Sequence, residues 1–148
     1  MLRVFTRTFN ELSNTELYEL LKLRSEVFVV EQNCVFLDMD DKDQEALHVL
    51  GFDGKRLVAY TRLLAPGHSY PEASIGRVVS HPSARGMNYG REIMQYSIQH
   101  ILKQYQTDQI VISAQLYLKR FYSELGFVAE GEVYPEDDIP HIKMRYTC

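Results

Sequence analysis

Arg85-Gly86-Met87-Asn88-Tyr89-Gly90 places a cation and two glycines between a run that reads as a strand, Ala73 to Ser80, and one that reads as a helix, Gly90 to Tyr105. A strand that feeds a glycine-bearing loop and then a helix gathers unpaired backbone N–H groups and the positive end of the helix dipole at one point. Such a point binds phosphate. The same spacing also suits an ordinary strand-to-helix turn, so the loop needs companions to carry an argument. Metal chemistry has no comparable signal. His48, His68, His81 and His100 share no ligand spacing, and Cys34 and Cys148 form no CxxC pair, so no metal and two reduced thiols are expected. A net charge of −4 offers no clustered basic surface, which argues against nucleic acid as the main partner.

The elements that must hold this loop follow from periodicity. Leu2 to Phe9 reads as a first strand, and Ser13-Asn14-Thr15-Glu16 has the capping-box pattern that opens a helix, expected to run to about Gln32. Leu17, Leu20, Leu21, Val27 and Phe28 line one face of it, and Arg24 interrupts that stripe as a cation snorkelling at its edge. Asp38 to Glu45 has neither period and reads as a solvated acidic loop. Leu47 to Phe52 and Arg56 to Leu64 flank Asp53-Gly54, a hairpin signal. After the Pro66-Gly67 turn comes the strand that ends at His81-Pro82, where proline stops the ladder.

Ile93, Met94, Ile98, Ile101, Leu102 and Tyr105 give the next helix an apolar face, and Ile110 to Ser113 reads as a buried strand. Strand, loop, helix and strand then form a crossover that sets its two strands parallel. A short helix, Tyr117 to Leu125, stops at Gly126, and two last strands surround Phe127 and Ile142 to Tyr146. With 148 residues, 45% apolar and 24% charged, the chain reads as one globular domain over residues 1–148. Its apolar runs are too short to span a bilayer, and Arg3 interrupts the N-terminus where a signal peptide is apolar. A cytoplasmic protein with no membrane partner is expected.

A second motif, Phe121-Tyr122-Ser123-Glu124-Leu125-Gly126-Phe127, follows the glycine loop, and the ordered pair resembles the GNAT acetyltransferases. Leu23-Arg24-x-x-Val27-Phe28-Val29-Val30-Glu31-Gln32 and Asp138-Ile139-Pro140-His141-Ile142-x-Met144 look like the ElaA-type branch, and the resemblance covers most of the chain. It implies an α/β (α+β) GNAT fold: one mixed, mostly antiparallel sheet of about seven strands, with a parallel fourth and fifth pair and helices on both faces. It also implies an N-acetyltransferase that takes acetyl-CoA as donor and a primary amine of a small molecule or peptide as acceptor. A homodimer is a common assembly in that superfamily.

Carried over position by position, the resemblance assigns Val78, Val79 and Ser80 to the pantetheine arm, with the backbone of Val78 polarising the thioester carbonyl. An oxyanion contact of that kind supplies about 3 kcal/mol in other enzymes. The loop from Arg85 through Gly86, Met87, Asn88, Tyr89 and Gly90 to Arg91 would hold the pyrophosphate. Asn88 stands where relatives have a glycine, and it tolerates left-handed backbone angles better than most residues. Gln115 stands where many relatives carry the shorter asparagine that contacts the pantetheine.

Tyr122 matches the tyrosine that protonates the departing thiolate; a phenol with an ordinary pKa of about 10 keeps its proton at neutral pH. Gly76 occupies the position of a glutamate base in histone-acetylating relatives, so the base must come from elsewhere. Glu31 and His141 are the candidates, each readable equally as a surface group. The acidic residues of 38–45 and 136–138 would attract a cationic amine, or are simply solvated. Two other readings compete: an acetyl-CoA sensor without catalysis, and an acyl-homoserine-lactone synthase, suggested by Arg24 and Phe28 but short of tryptophan and of length.

Overall fold

The computed structural model describes residues 1–148. Seven strands form one sheet in the order β1-β2-β3-β4-β5-β7-β6. They are β1 (Leu2–Thr8), β2 (Leu47–Asp53), β3 (Arg56–Leu64), β4 (Ala73–Ser80), β5 (Gln109–Gln115), β6 (Phe127–Glu136) and β7 (Ile139–Thr147). Every neighbouring pair is antiparallel except β4 and β5, which are parallel as the crossover requires. Helices α1 (Asn14–Arg24) and α2 (Tyr89–Tyr105) cover opposite faces, and the short α3 (Lys119–Glu124) leads into β6.

The two faces carry two cores because side chains alternate along each strand. Val49, Ala59, Leu63 and Ile75 turn towards Ile93, Met94, Ile98 and Ile101 of α2. Leu50, Leu57, Tyr60 and Val79 turn towards Leu20 and Leu23 of α1 and Val27 just beyond it. The capping box that opens α1 is made in both directions: Glu16 N–H donates to Ser13 Oγ at 3.0 Å, and Ser13 N–H to Glu16 Oε1 at 2.9 Å.

Three expectations need correction. The first helix ends as an α-helix at Arg24, and Ser25–Glu31 continues it as a π-helix. Gln32 N–H donates to Val27 O at 3.1 Å, five residues back, and this wider turn keeps Val27 buried while Glu31 and Gln32 swing to the sheet's open end. Arg24 does not snorkel. It is fully buried, donating from Nε to Asp38 Oδ2 at 2.8 Å and from Nη1 to Asp43 Oδ1 at 2.7 Å.

Nor is 38–45 simply a solvated loop. Arg62 bridges Asp40 and Asp43, and Arg77 Nε lies 2.8 Å from Asp38 Oδ1, so three aspartates and three arginines neutralise one another under the segment. Only its outer residues, such as Asp41 and Glu45, face solvent. A buried arginine without carboxylates would be prohibitively costly, and these carboxylates arrive from a stretch with no periodicity to announce them.

Candidate active site

The sheet opens where its strands stop pairing. β4 and β5 are matched only at Ala73↔Ile110 and Ser74↔Val111, then diverge. A bulge in β4 adds to the divergence: from Gly76 to Val79 it spends three residues where β3 spends two, from Arg62 to Tyr60. Arg77, inside the bulge, has a left-handed φ of +51° and is held there by Asp38 and Asp40. The result is a cleft of about 860 Å³ between the strands, lined by Gly76, Val78 and Ser80 on one side and Ile112, Ser113 and Gln115 on the other.

The glycine loop sits at one end of this cleft, around an adjoining hollow of about 280 Å³ lined by Ser80, Gly86, Asn88 and Arg91 among others. Gly86 has φ +88° and Asn88 φ +66°, so the asparagine does adopt the left-handed angles the turn needs. The N–H groups of Gly86, Met87 and Asn88 donate to nothing within the chain. Those of Tyr89, Gly90 and Arg91 are the first-turn donors that a helix leaves unpaired. Such a run of donors at the positive end of a 17-residue helix fits the pyrophosphate of a CoA thioester. A Cβ on Gly86 would meet no atom within 4 Å, so the loop stands open on that side.

The side chains of the loop are less free than its backbone. Tyr89 is buried and donates to Asp53 Oδ2 at 2.7 Å, so only its backbone faces the hollow. Arg85 binds Glu31 bidentately, at 2.6 and 2.7 Å, and Arg91 binds Glu124 at 2.6 Å. Met87 is half exposed and lines neither space. The Arg85 hydrogen bonds hold the Glu31 carboxyl below its ordinary value despite partial desolvation, which weakens it as a base.

Tyr122 projects from α3 into the wall of the cleft. Its ring is buried against Phe121 and Phe127, with centroids 5.1 and 6.0 Å away, and its hydroxyl makes no hydrogen bond within the chain. Burial raises its pKa well above the ordinary phenol value, so the proton is retained at neutral pH. Gln115 lies at the end of β5, where its amide and that of Gln32 exchange two hydrogen bonds of 3.2 Å. The longer side chain reaches across to Gln32, the residue that caps the π-helix, a contact between positions 83 residues apart that no local pattern announces.

His141 stands beside Gln115 in the β5–β7 register and also lines the cleft. It is buried and stacks on Tyr134 at 6.2 Å. Ser113 Oγ, facing the same cleft, meets Tyr134 Oη and donates to Glu136 Oε1 at 3.2 Å. This polar group was visible in the sequence only as the acidic run after Tyr134. Gly76, with no atom within 4 Å of a would-be Cβ, leaves the facing wall open.

Val78, Val79, Ser80, Arg85, Gly90, Gln115, Tyr122 and His141 thus share the cleft. Gly86, Asn88, Tyr89 and Arg91 share the adjoining hollow, and Glu31 reaches the site through Arg85. No group of three or more His, Cys, Asp and Glu residues is placed to hold a metal, both cysteines are free, and no helix is long and apolar enough to cross a membrane.

Comparison with known proteins agrees with this geometry. The family described as acetyltransferase (GNAT) domain matches residues 11–148. A UPF0039 protein of Synechocystis is 44% identical over 139 residues, 93% of this chain and 90% of that one. Protein ElaA of Escherichia coli is 39% identical over 137 residues, 91% of this chain and 90% of its own, and its crystal structure superposes with a TM-score of 0.91 over 99% of each chain. An acyl-CoA N-acyltransferase from Pseudomonas aeruginosa superposes with a TM-score of 0.93 at 40% identity, over 99% of this chain and 100% of that one. A cleft between splayed parallel strands, a donor-rich loop at its end and relatives of this closeness lead to one conclusion: the chain belongs to the GNAT acetyltransferase family, as a relative of ElaA.

Proposed function

We propose that this protein is an acetyl-CoA-dependent N-acetyltransferase that passes the acetyl group directly to a primary amine of a small molecule or peptide. One observation carries the reading: the unpaired N–H groups of 86–91 and the unpartnered Tyr122 hydroxyl open on adjoining parts of one cleft. The loop would hold the pyrophosphate, and β4 through Val78, Val79 and Ser80 would run beside the pantetheine arm and polarise the thioester carbonyl. Gln115 would reach the same arm once released from Gln32. The amine would attack across the cleft while a base removes its proton, and Tyr122 would protonate the thiolate. Holding both reactants in one cleft removes any need for a covalent enzyme intermediate.

Calorimetric titration with acetyl-CoA, followed by a panel of small amines and peptides assayed for free CoA thiol, tests this. Binding with amine-dependent thiol release is the expected outcome. Binding without turnover on any amine would instead favour a sensor, and absence of binding would overturn the assignment of the 85–91 loop.

A further inference from the structure

The base can be chosen from the surroundings of its two candidates. Glu31 is committed to Arg85 through two short hydrogen bonds at the cofactor end. His141 is arranged differently. Its Nδ1 lies 2.7 Å from the carbonyl oxygen of Ile139, which can only accept, so Nδ1 carries a proton and donates it. In the neutral ring Nε2 is therefore the atom with the free lone pair. Nε2 makes no hydrogen bond within the chain, and Glu136 Oε2 stands 3.4 Å from it. Glu136 is itself steadied by Ser113 Oγ.

From this geometry we infer that His141 takes the proton of the attacking amine at Nε2, with Glu136 as the positioning residue that draws in the amine and stabilises the imidazolium. The inference rests on the acetyltransferase reading. A nitrogen within reach of Nε2 also lies beside the Glu136 carboxylate, so one anion serves both ends of the transfer. As the C–N bond forms, a proton passes from nitrogen to Nε2. The C–S bond breaks with its electron pair on sulfur, and sulfur takes the proton of Tyr122. The imidazolium then gives up a proton to solvent and the phenolate regains one, so amine and thioester have become amide and thiol.

Tyr134 stacks on the ring and Glu136 stands beside Nε2, both from β6, while Asp137, Tyr70 and Cys34 line the same cleft. Burial raises both the Tyr70 phenol and the Cys34 thiol, so neither gains charge in the neutral range.

Three variants in the full chain test the inference, each first titrated with acetyl-CoA to verify folding. His141→Gln should lower kcat by about 100-fold while leaving the acetyl-CoA Kd within about two-fold of wild type. His141→Ala should regain part of its turnover on addition of free imidazole. Glu136→Gln should raise the KM for a cationic amine by about ten-fold while leaving the acetyl-CoA Kd within about two-fold of wild type. Wild-type turnover with unaltered kcat in His141→Gln, or with no imidazole response in His141→Ala, would overturn it. If neither His141 variant binds acetyl-CoA, an unaltered amine KM in Glu136→Gln would do so. A wild type that releases no thiol with any amine would remove the acetyltransferase reading itself, and this inference with it.

Discussion

Tyr122 combines a proton that burial holds firmly with a hydroxyl that nothing in the chain engages. Burial by itself makes the phenol a weaker acid, so in the proposed mechanism the donor role rests on the free hydroxyl, which can turn to a departing thiolate without first breaking an internal hydrogen bond. Tyr122→Phe should keep the acetyl-CoA Kd within about two-fold and lower kcat by about 100-fold, read by calorimetry and by initial rates of thiol release. The residue was legible in the sequence because its motif is local: Phe121, Gly126 and Phe127 stand within five positions of it. Arg24 shows the opposite case. Its partners lie 14 and 19 positions away in an irregular segment, so its own helical stripe carried no mark of them.

Elements whose ends are set by neighbouring residues were read well, among them the Ser13 cap, the Asp53-Gly54 turn and the strand, loop and helix around Arg85. The π-helix was not, because its hydrogen-bond register differs from an α-helix by one residue and an apolar stripe seven residues long does not separate the two. Through Glu31 the π-helix occupies the Arg85 guanidinium, at the end of the cleft where the donor is proposed to bind. Acetyl-CoA binding would compete with that ion pair. Glu31→Gln should therefore tighten acetyl-CoA binding by about two- to five-fold at low salt, the range of an exposed pair, with the gain shrinking as ionic strength rises. Turnover should persist in this variant, whereas a catalytic Glu31 would lose it.

At the scale of the molecule, the ion network of Arg24, Arg62, Arg77, Asp38, Asp40 and Asp43 ties α1 and the 38–43 segment to β3 and β4. Burial alone would raise the Asp40 and Asp43 carboxyls, but hydrogen bonds and charge from Arg62, and from Arg24 at Asp43, outweigh it and leave both below the ordinary value. Folded values below the unfolded one of about 3.9 mean that this stabilisation is complete at neutral pH. It begins to fall near pH 5 and is lost as pH drops through the folded values. Urea unfolding between pH 7 and pH 2 should show a loss on the order of 2 kcal/mol from this source. Arg62→Met, which leaves Asp43 to Arg24 alone and Asp40 to the longer Arg77 contact, should cost about 2 kcal/mol at pH 7 and flatten that acid limb.

The same sheet that these ion pairs brace is joined along one line by only two residue pairs, Ala73↔Ile110 and Ser74↔Val111. In outline it is two plates, four strands and three, sharing a short pin with a gap beyond it. A slender ligand laid in that gap with polar contacts to both rims acts as rungs for a ladder left unfinished. If the proposed donor binds there, occupying the site and joining the two halves of the sheet would become a single event.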